Sequence, residues 1–398
     1  MISIGIDVSK EKSTVCILKH YGEIVRRPFD ILHTQTDLMK LASIIRSLDE
    51  ESRVVMEATG IYHLPILTFL KDEGFFVATV NPLEMKRYRC QGIRTAKTDR
   101  IDSKIIANYG LDYWFHLKEF QSEEECYTEL RLLGRQYRQY MKFRVENVVA
   151  LTHILDLTMP GLKTMLPDWN KYSGKDKLAD FAYEYWHFDN ITKKSEKQFI
   201  NSYINWAKKK GYRQNEEKAR QLYALAKDGI PTLPSSTPST KMFVQESVKI
   251  VREIDNTLTH ILTRMQKLAK TLPEYPVVRA MSGVGDTLAP RLIGEIGDVR
   301  RFKNGKSLVA YAGIDAPPYQ SGKFVGTERH ISKRGSSNLR KVGFETMTCV
   351  RRLKPENDAV YLFIQKKIDE GKPSKVAKIA GFNKFLRIYY ARVMEVYQ

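Results

Sequence analysis

Ile2-Ser3-Ile4-Gly5-Ile6-Asp7 places an apolar residue at every second position and ends on a carboxylate. Period-two alternation predicts a strand. Working outward, Ser13 to Leu18 and Ile24 to Pro28 read as two more strands, with turn signals at Ser9-Lys10-Glu11 and Tyr21-Gly22. Connections this short require an antiparallel meander. A helical pattern then runs from about Thr36 to Leu48, followed by the strand Arg53-Val54-Val55-Met56-Glu57, a helix from about Tyr62 to Asp72 and a strand from Phe75 to Val80.

Three hairpin strands followed by β-α-β-α is the element order of an α/β, RNase H-like fold. In open α/β sheets, catalytic and ligand groups gather where strands finish, so Asp7 and Glu57 are expected to face one another across neighbouring strands. A second acidic pair lies in Lys97-Thr98-Asp99-Arg100-Ile101-Asp102-Ser103-Lys104. With Thr98 as N-cap, Asp99 and Asp102 share one face of a first helical turn, where the helix dipole favours negative charge. First-turn acids commonly do no more than cap. Four carboxylates at element ends, however, form a candidate site for a divalent metal.

The 398 residues are 42% hydrophobic, enough for two or three domains with real cores. A net charge of +19 implies a partner with a large negative field, nucleic acid first and membrane surface second. No apolar run approaches a membrane span, and the first ten residues are an acid-containing strand rather than a signal peptide, so a cytoplasmic protein is expected. Cys16, Cys90, Cys126 and Cys349 are scattered, without a Cys-x-x-Cys pair. They read as reduced, mostly buried thiols.

Between Asn81 and Lys97 a basic loop carries Lys86, Arg87, Arg89, Arg94 and Lys97 around Tyr88. It is either a solvated loop or a collar guiding a phosphodiester to the carboxylates, and the collar is favoured. Leu130 to Leu155 reads as one long helix whose Arg131, Arg135, Arg138 and Lys142 form a stripe nearly free of acids. That stripe is either solvated surface or a phosphate-backbone contact. From Gly161 to about Pro238 the pattern suggests short helices and a proline-rich loop, with no chemistry assigned. Val251, Ile254, Leu258, Ile261, Met265, Leu268 and Leu272 then alternate three and four apart, a coiled-coil seam read as favouring self-association.

Beyond Pro273, Met281-Ser282-Gly283-Val284-Gly285 before an apolar helix resembles a helix-hairpin-helix, in which Gly283 and Gly285 would let backbone N–H groups approach a phosphate. Loops with Gln320-Ser321-Gly322-Lys323 and Ser332-Lys333-Arg334-Gly335 follow. From Ser321 to Gln398 there are 17 Lys and Arg against 7 Asp and Glu, so this end is expected to touch nucleic acid.

Gly5-Ile6-Asp7-Val8-Ser9-Lys10, Met56-Glu57-Ala58-Thr59-Gly60, Asn81-Pro82 and Lys97 to Asp102 resemble the RuvC-like half of DEDD transposases, the insertion-sequence recombinases related to the Piv DNA invertase, some guided by a bridge RNA. The glycine hairpin, Tyr311-Ala312-Gly313, Gln320-Ser321-Gly322 and Ser332-Lys333-Arg334-Gly335 through Leu339-Arg340 resemble their C-terminal transposase domain. The resemblance covers about residues 1–157 and 273–398. It implies a RuvC-like catalytic domain at 1–157, a helical insertion, linker and coiled coil at 158–272, and a mainly α-helical C-terminal transposase domain at 273–398.

Carried over by position, Asp7, Glu57, Asp99 and Asp102 would be the metal tetrad, holding two Mg²⁺ ions for which Mn²⁺ can substitute, and Ser321 the nucleophile. Composition alone does not choose Ser321 over Ser332, Ser336 or Ser337. The expected nucleic-acid contacts are Arg94, Lys97, Arg131, Arg135, Arg138, Lys142, Gly283, Gly285, Lys323, Lys333, Arg334 and Arg340. The implied partners are double-stranded donor and target DNA, a structured guide RNA and further copies of the chain in a dimer or tetramer, with no membrane. The competing reading is a RuvC-like endonuclease in which metal-activated water attacks. Gly5-Ile6-Asp7 followed by a lysine also begins actin-like sugar kinases, but the second glycine-rich phosphate loop those need is missing from the sequence.

Overall fold

The opening alternation forms β1 (Ile2–Val8), joined by three-residue connections to β2 (Lys12–Lys19) and β3 (Glu23–Leu32) in an antiparallel meander. Then come α1 (Gln35–Arg46), β4 (Ser52–Glu57), α2 (Leu64–Asp72), β5 (Val77–Val80), α3 (Pro82–Arg89) and α4 (Asp99–Asp112). β4 lies parallel to both β1 and β5, giving the strand order β3-β2-β1-β4-β5 of the RNase H-like fold. The computed structural model describes residues 1–58, 60–90, 98–121, 124–166, 175–317, 320–321, 324–325 and 330–398, with the backbone alone at 320–321 and 324–325. The chain divides into two units, Met1–Ser122 and Glu123–Gln398.

Strand periodicity sorts the first unit's side chains into two layers. Ile2, Ile4, Ile6, Val54 and Met56 bury one face of the sheet under Leu38, Leu41 and Ile45 of α1 and Ile66, Leu67 and Leu70 of α2. The opposite face carries Val55 and Val80, which pack with Ile106 of α4. The odd positions of β1 on that face are the small residues Ser3 and Gly5, which let α4 come close. A Cβ on Gly5 would stand 2.3 Å from the Ala107 nitrogen and the Ser103 oxygen, and one on Gly110 would meet Ser3 Oγ at 2.1 Å. α4 is therefore seated directly on the sheet, with its N-terminus at the Asp7 end of β1.

In the second unit α5 (Glu125–Thr158) and α11 (Thr240–Ala269) run side by side with opposite sense. Glu129 pairs with Arg264, and Arg144 with Asp255, so residue numbers fall along one helix as they rise along the other. Between them α6 (Leu162–Met165), α7 (Lys177–Tyr185), α8 (Asp189–Thr192), α9 (Glu196–Lys210) and α10 (Glu216–Asp228) build an aromatic core of Phe181, Tyr185, Phe199, Tyr203 and Trp206 around Leu151, Leu155, Val244 and Val248. The proline-rich loop packs here: Thr232 and Leu233 donate their backbone N–H groups to the Leu157 carbonyl.

The remaining elements are α12 (Tyr275–Arg279), α13 (Leu288–Ile296), α14 (Gly305–Ala312), β6 (Gln320–Ser321), β7 (Phe324–Val325), α15 (Ser337–Leu353), α16 (Ala359–Asp369) and α17 (Ser374–Val396). The helices among them share one core with Tyr127, Leu130 and Tyr137 of α5 and Ile254, Leu258 and Met265 of α11.

Two expectations change. The heptad seam is present, but Val251, Ile254, Leu258, Met265 and Leu272 are buried within this chain, so the seam supplies no surface for self-association. By packing, the first compact unit ends at Ser122, because the helix starting at Glu125 packs with α11 and α13. Residues 82–89 form α3 rather than a loop: Asn81 caps it by accepting from the Leu83 N–H at 2.9 Å, and proline holds the first helical position. All four cysteines are free; Cys16 is buried, whereas Cys90 is exposed. No described helix is long and apolar enough to cross a membrane.

Candidate active site

The parallel register pairs Ile6 with Met56, which sets Asp7 and Glu57 side by side at the C-terminal ends of β1 and β4. Both are odd positions, and alternation turns them to the face on which α4 lies. Thr98 begins α4 by accepting from the Ile101 N–H at 3.3 Å, and Asp99 and Asp102 follow in the first turn. Asp102 is buried, Asp7 and Glu57 are half-buried, and Asp99 is exposed at the rim. The four carboxylates expected to meet thus gather at one corner of the first unit.

Electrostatics registers the crowding. Burial, then the charges of Asp102 and Asp99, push the Asp7 carboxyl up to about 6; Arg89 pulls it down, and Glu57 adds a smaller upward push. Arg89, the last residue of α3, sends Nη2 to Glu57 Oε2 at 3.0 Å, while its Nε stands 3.6 Å from Asp102 Oδ1. That Nε is buried and has no hydrogen-bond partner. Its neighbour Tyr88 packs edge-on against Tyr109, and its hydroxyl donates to Asp112, which ties α3 to α4. Sequence had offered Arg89 as collar and Tyr88 as its companion; the fold turns one onto the acids and makes the other an anchor.

Among the described residues, no three His, Cys, Asp or Glu side chains stand as a ready cluster for a metal ion. Arg89 lies between two of the carboxylates. The donor set itself suits a hard divalent ion, being four carboxylates with no sulfur or imidazole among them. The raised Asp7 carboxyl marks a place short of positive charge.

In the second unit Ser321 ends β6 and pairs with Phe324 of β7; Gly322 and Lys323 lie outside the described residues. Only the backbone of Ser321 is described. The excursion carrying it is closed at its neck: the Ser332 N–H donates to the Asp315 carbonyl at 2.8 Å, and Ser332 Oγ to Asp315 Oδ1 at 2.5 Å. Ser336 caps α15 by accepting from the Leu339 N–H at 3.0 Å. Of the three competing serines, Ser332 is therefore engaged in closing the loop and Ser336 in capping a helix.

The expected nucleic-acid contacts divide. Arg131 Nε donates to the Gly294 carbonyl at 3.0 Å, Arg135 Nε to the buried Glu295 at 3.2 Å, and Arg340 Nη1 to the Ala312 and Gly335 carbonyls at 2.9 and 3.0 Å. Arg138 donates to Asn338, and Lys142 stands 3.7 Å from Glu146. Lys333 and Arg334 are exposed. Gly283 has φ +75°, and a Cβ there would meet the Val350 nitrogen at 2.8 Å, so this glycine serves the packing of the hairpin on α15; Gly285 faces open space. Arg94, Lys97 and Lys323 lie outside the described residues. A groove of about 910 Å³ runs between α5 and α15, lined by Arg135, Arg138, Lys142, Arg291 and Lys341.

Comparison with known proteins matches two stretches of the chain. Residues 4–160 match a family described as Transposase, of the DEDD type of IS110 elements, and residues 275–362 match the Transposase IS116/IS110/IS902 family. The pilin gene-inverting protein of Moraxella bovis is 22% identical over 398 residues, covering 98% of this chain and 95% of its own. The insertion element IS116 uncharacterized 44.8 kDa protein of Streptomyces clavuligerus is 21% identical over 361 residues, covering 90% and 86%. Among solved structures, T. thermophilus RuvC in complex with a Holliday junction substrate aligns with a TM-score of 0.24 and 10% identity, over 30% of this chain and 99% of that one.

Proposed function

Since this chain belongs to the IS116/IS110/IS902 family of transposases, we propose that it cuts and rejoins DNA with a carboxylate tetrad of Asp7, Glu57, Asp99 and Asp102 and a serine, Ser321. The observation that carries the reading is the register of β1 and β4, which brings Asp7 and Glu57 together on the face against which α4 presents Asp102 and Asp99. These four residues would hold Mg²⁺, for two ions in the full site, with Mn²⁺ able to substitute. Bound there, the metal would polarise the scissile phosphate and stabilise the leaving oxygen.

The chain's own residues do the rest. Ser321 Oγ attacks phosphorus and gives up its proton, the P–O bond to the leaving strand breaks and that strand's oxygen takes up a proton, and the new phosphoserine keeps the phosphodiester energy for rejoining to another strand. A serine hydroxyl is a weak nucleophile, so cations such as Lys323 and Lys333 are assigned to holding the phosphate while charge develops. Rejoining rather than hydrolysis accords with a relative named for inverting a gene segment. A structured RNA is assigned the choice of target, because the +19 charge is spread over several surfaces and suits the reading of backbone and shape.

Asp102→Ala should abolish strand cleavage and leave nucleic-acid binding nearly intact, since carboxylates oppose phosphate binding. Cleavage at a normal rate would sink the tetrad. Ser321→Ala should prevent a denaturation-resistant protein–DNA adduct; cleavage without that adduct would instead support an endonuclease that uses water. Site-specific recombination by RNase-treated, RNA-free protein would refute the guide.

A further inference from the structure

Arg89 stands on the oxygens a metal ion would need. We propose that Arg89 is the resident counter-ion of the carboxylate site, and that loading with a divalent cation is an exchange in which the guanidinium leaves Glu57 and Asp102. The inference rests on the tetrad reading above.

The pairing of Arg89 is incomplete in a way that a settled structural pair is not. Arg264 grips Glu129 with two nitrogens, at 2.7 and 2.9 Å. Arg89 makes one hydrogen bond, 3.0 Å to Glu57, and spends its buried Nε on Asp102 at 3.6 Å, an ion-pair separation too long for a hydrogen bond. It touches two of the four acids and satisfies neither face of its fork.

Its support allows departure without refolding. α3 is held from below by buried Met85 and beside α4 by Tyr88, so the helix stays while the Arg89 side chain, 25% exposed, swings toward solvent. The C-terminal turn of α3 favours a cation in either position. A divalent ion brings two charges and direct oxygen coordination where the guanidinium brings one charge and a single good hydrogen bond, so it wins the exchange where a monovalent ion does not. Arg89 is thus a positioning residue: before loading it keeps the acids from repelling one another apart, and after loading its five N–H donors are free at the edge of the site.

The test is Mn²⁺ binding to the full chain without DNA, followed by calorimetry and by the electron-spin signal of free Mn²⁺. Arg89→Gln should bind Mn²⁺ about tenfold tighter than the parent, the order expected when one competing unit charge leaves a partly solvated pair. Without metal its melting temperature should fall below the parent's, and saturating Mn²⁺ should close that gap. Should Arg89→Gln fail to fold, Arg89→Lys, whose single ammonium cannot span both oxygens, should also bind Mn²⁺ tighter than the parent. Equal or weaker binding by a folded Arg89 variant, with Asp7→Asn losing the metal, would overturn the exchange and spare the tetrad. Unchanged Mn²⁺ binding by Asp7→Asn would overturn the tetrad, and this proposal with it.

Discussion

In the second unit, buried carboxylates each meet close partners: Asp255 takes Arg144 at 2.6 Å, with Asp176 a further 3.9 Å contact of the same guanidinium, Glu295 takes Arg135 at 3.2 Å, and Glu274 accepts from the hydroxyls of Tyr127 and Tyr397. In the first unit, Asp7, Glu57 and Asp102 gather around the one guanidinium of Arg89. Both regions bury acids, yet removing a charge should act with opposite sign in the two. A paired buried charge holds structure, because breaking the pair strands its partner away from water. A crowd of like charges is held together by the packing around it, at a cost, and such crowds mark functional sites.

The largest effect expected is on the matched side. Asp255→Ala removes the 2.6 Å partner of Arg144 between α5 and α11, leaving Asp176 at 3.9 Å, and should lower stability by about 3 kcal/mol. The urea midpoint of the full chain measures it, and a loss below about 1 kcal/mol would mean that solvent reaches the pair.

Next comes the packing that forces the acids together. Gly5→Ala puts a Cβ 2.3 Å from the backbone of α4, which must lift from the sheet, at a cost of about 3 kcal/mol. Because lifting α4 carries Asp99 and Asp102 away from Asp7, the same variant should lose Mn²⁺ binding. Retained binding would show that the tetrad does not depend on the close seat of α4.

The opposite sign is expected at Asp7. Its carboxyl is raised from 3.8 to about 6 in the folded chain, so the protonated form favours folding at low pH, and that advantage is lost as pH rises through 6. Metal-free Asp7→Asn should therefore be more stable than the parent at pH 8 and equal to it near pH 4. After discounting for the solvent that reaches this half-buried group, the gain is about 1 kcal/mol. A destabilised Asn variant at pH 8 would place Asp7 among the structural charges and collapse the contrast.

Much of the first unit was legible because its information is local. Period-two strands, short turns and the Thr98 cap each follow from a few neighbouring residues, and the gathering of functional groups at strand ends already set Asp7 and Glu57 across neighbouring strands. Ser3 and Gly5 read only as small residues in a strand; their role appears once α4 is laid across them. Arg89 was visible as one basic residue among five, but no spacing rule distinguishes the arginine that turns inward from those that stay out. The seam on α11 was read correctly as a seam and misread as an interface, since heptad periodicity specifies a helical partner without saying whether it lies in the same chain. The stripe on α5 was legible only as spacing, because the carbonyl of Gly294 and the carboxylate of Glu295 that engage Arg131 and Arg135 come more than 150 residues later.

That stripe gives the smallest expected effect. Each phosphate contact made by a lysine or arginine contributes about 0.9 to the slope of log K against log salt on double-stranded DNA. Arg131 and Arg340 donate to backbone carbonyls, so their guanidiniums are committed to packing, whereas Lys142 has only the exposed Glu146 at 3.7 Å and lines the groove between α5 and α15. If that groove takes a nucleic-acid backbone, Lys142→Ala should reduce the slope by about 1, with little change in urea stability. Arg131→Ala should do the reverse, lowering stability by about 1 kcal/mol as the Gly294 carbonyl loses its donor while the slope stays put. A double variant of Lys142 and Lys341 that removes about 2 from the slope would place both lysines on the path of the strand. Equal slopes for Arg131→Ala and Lys142→Ala would mean that helical spacing, not the pattern of internal partners, decides which charges reach phosphate.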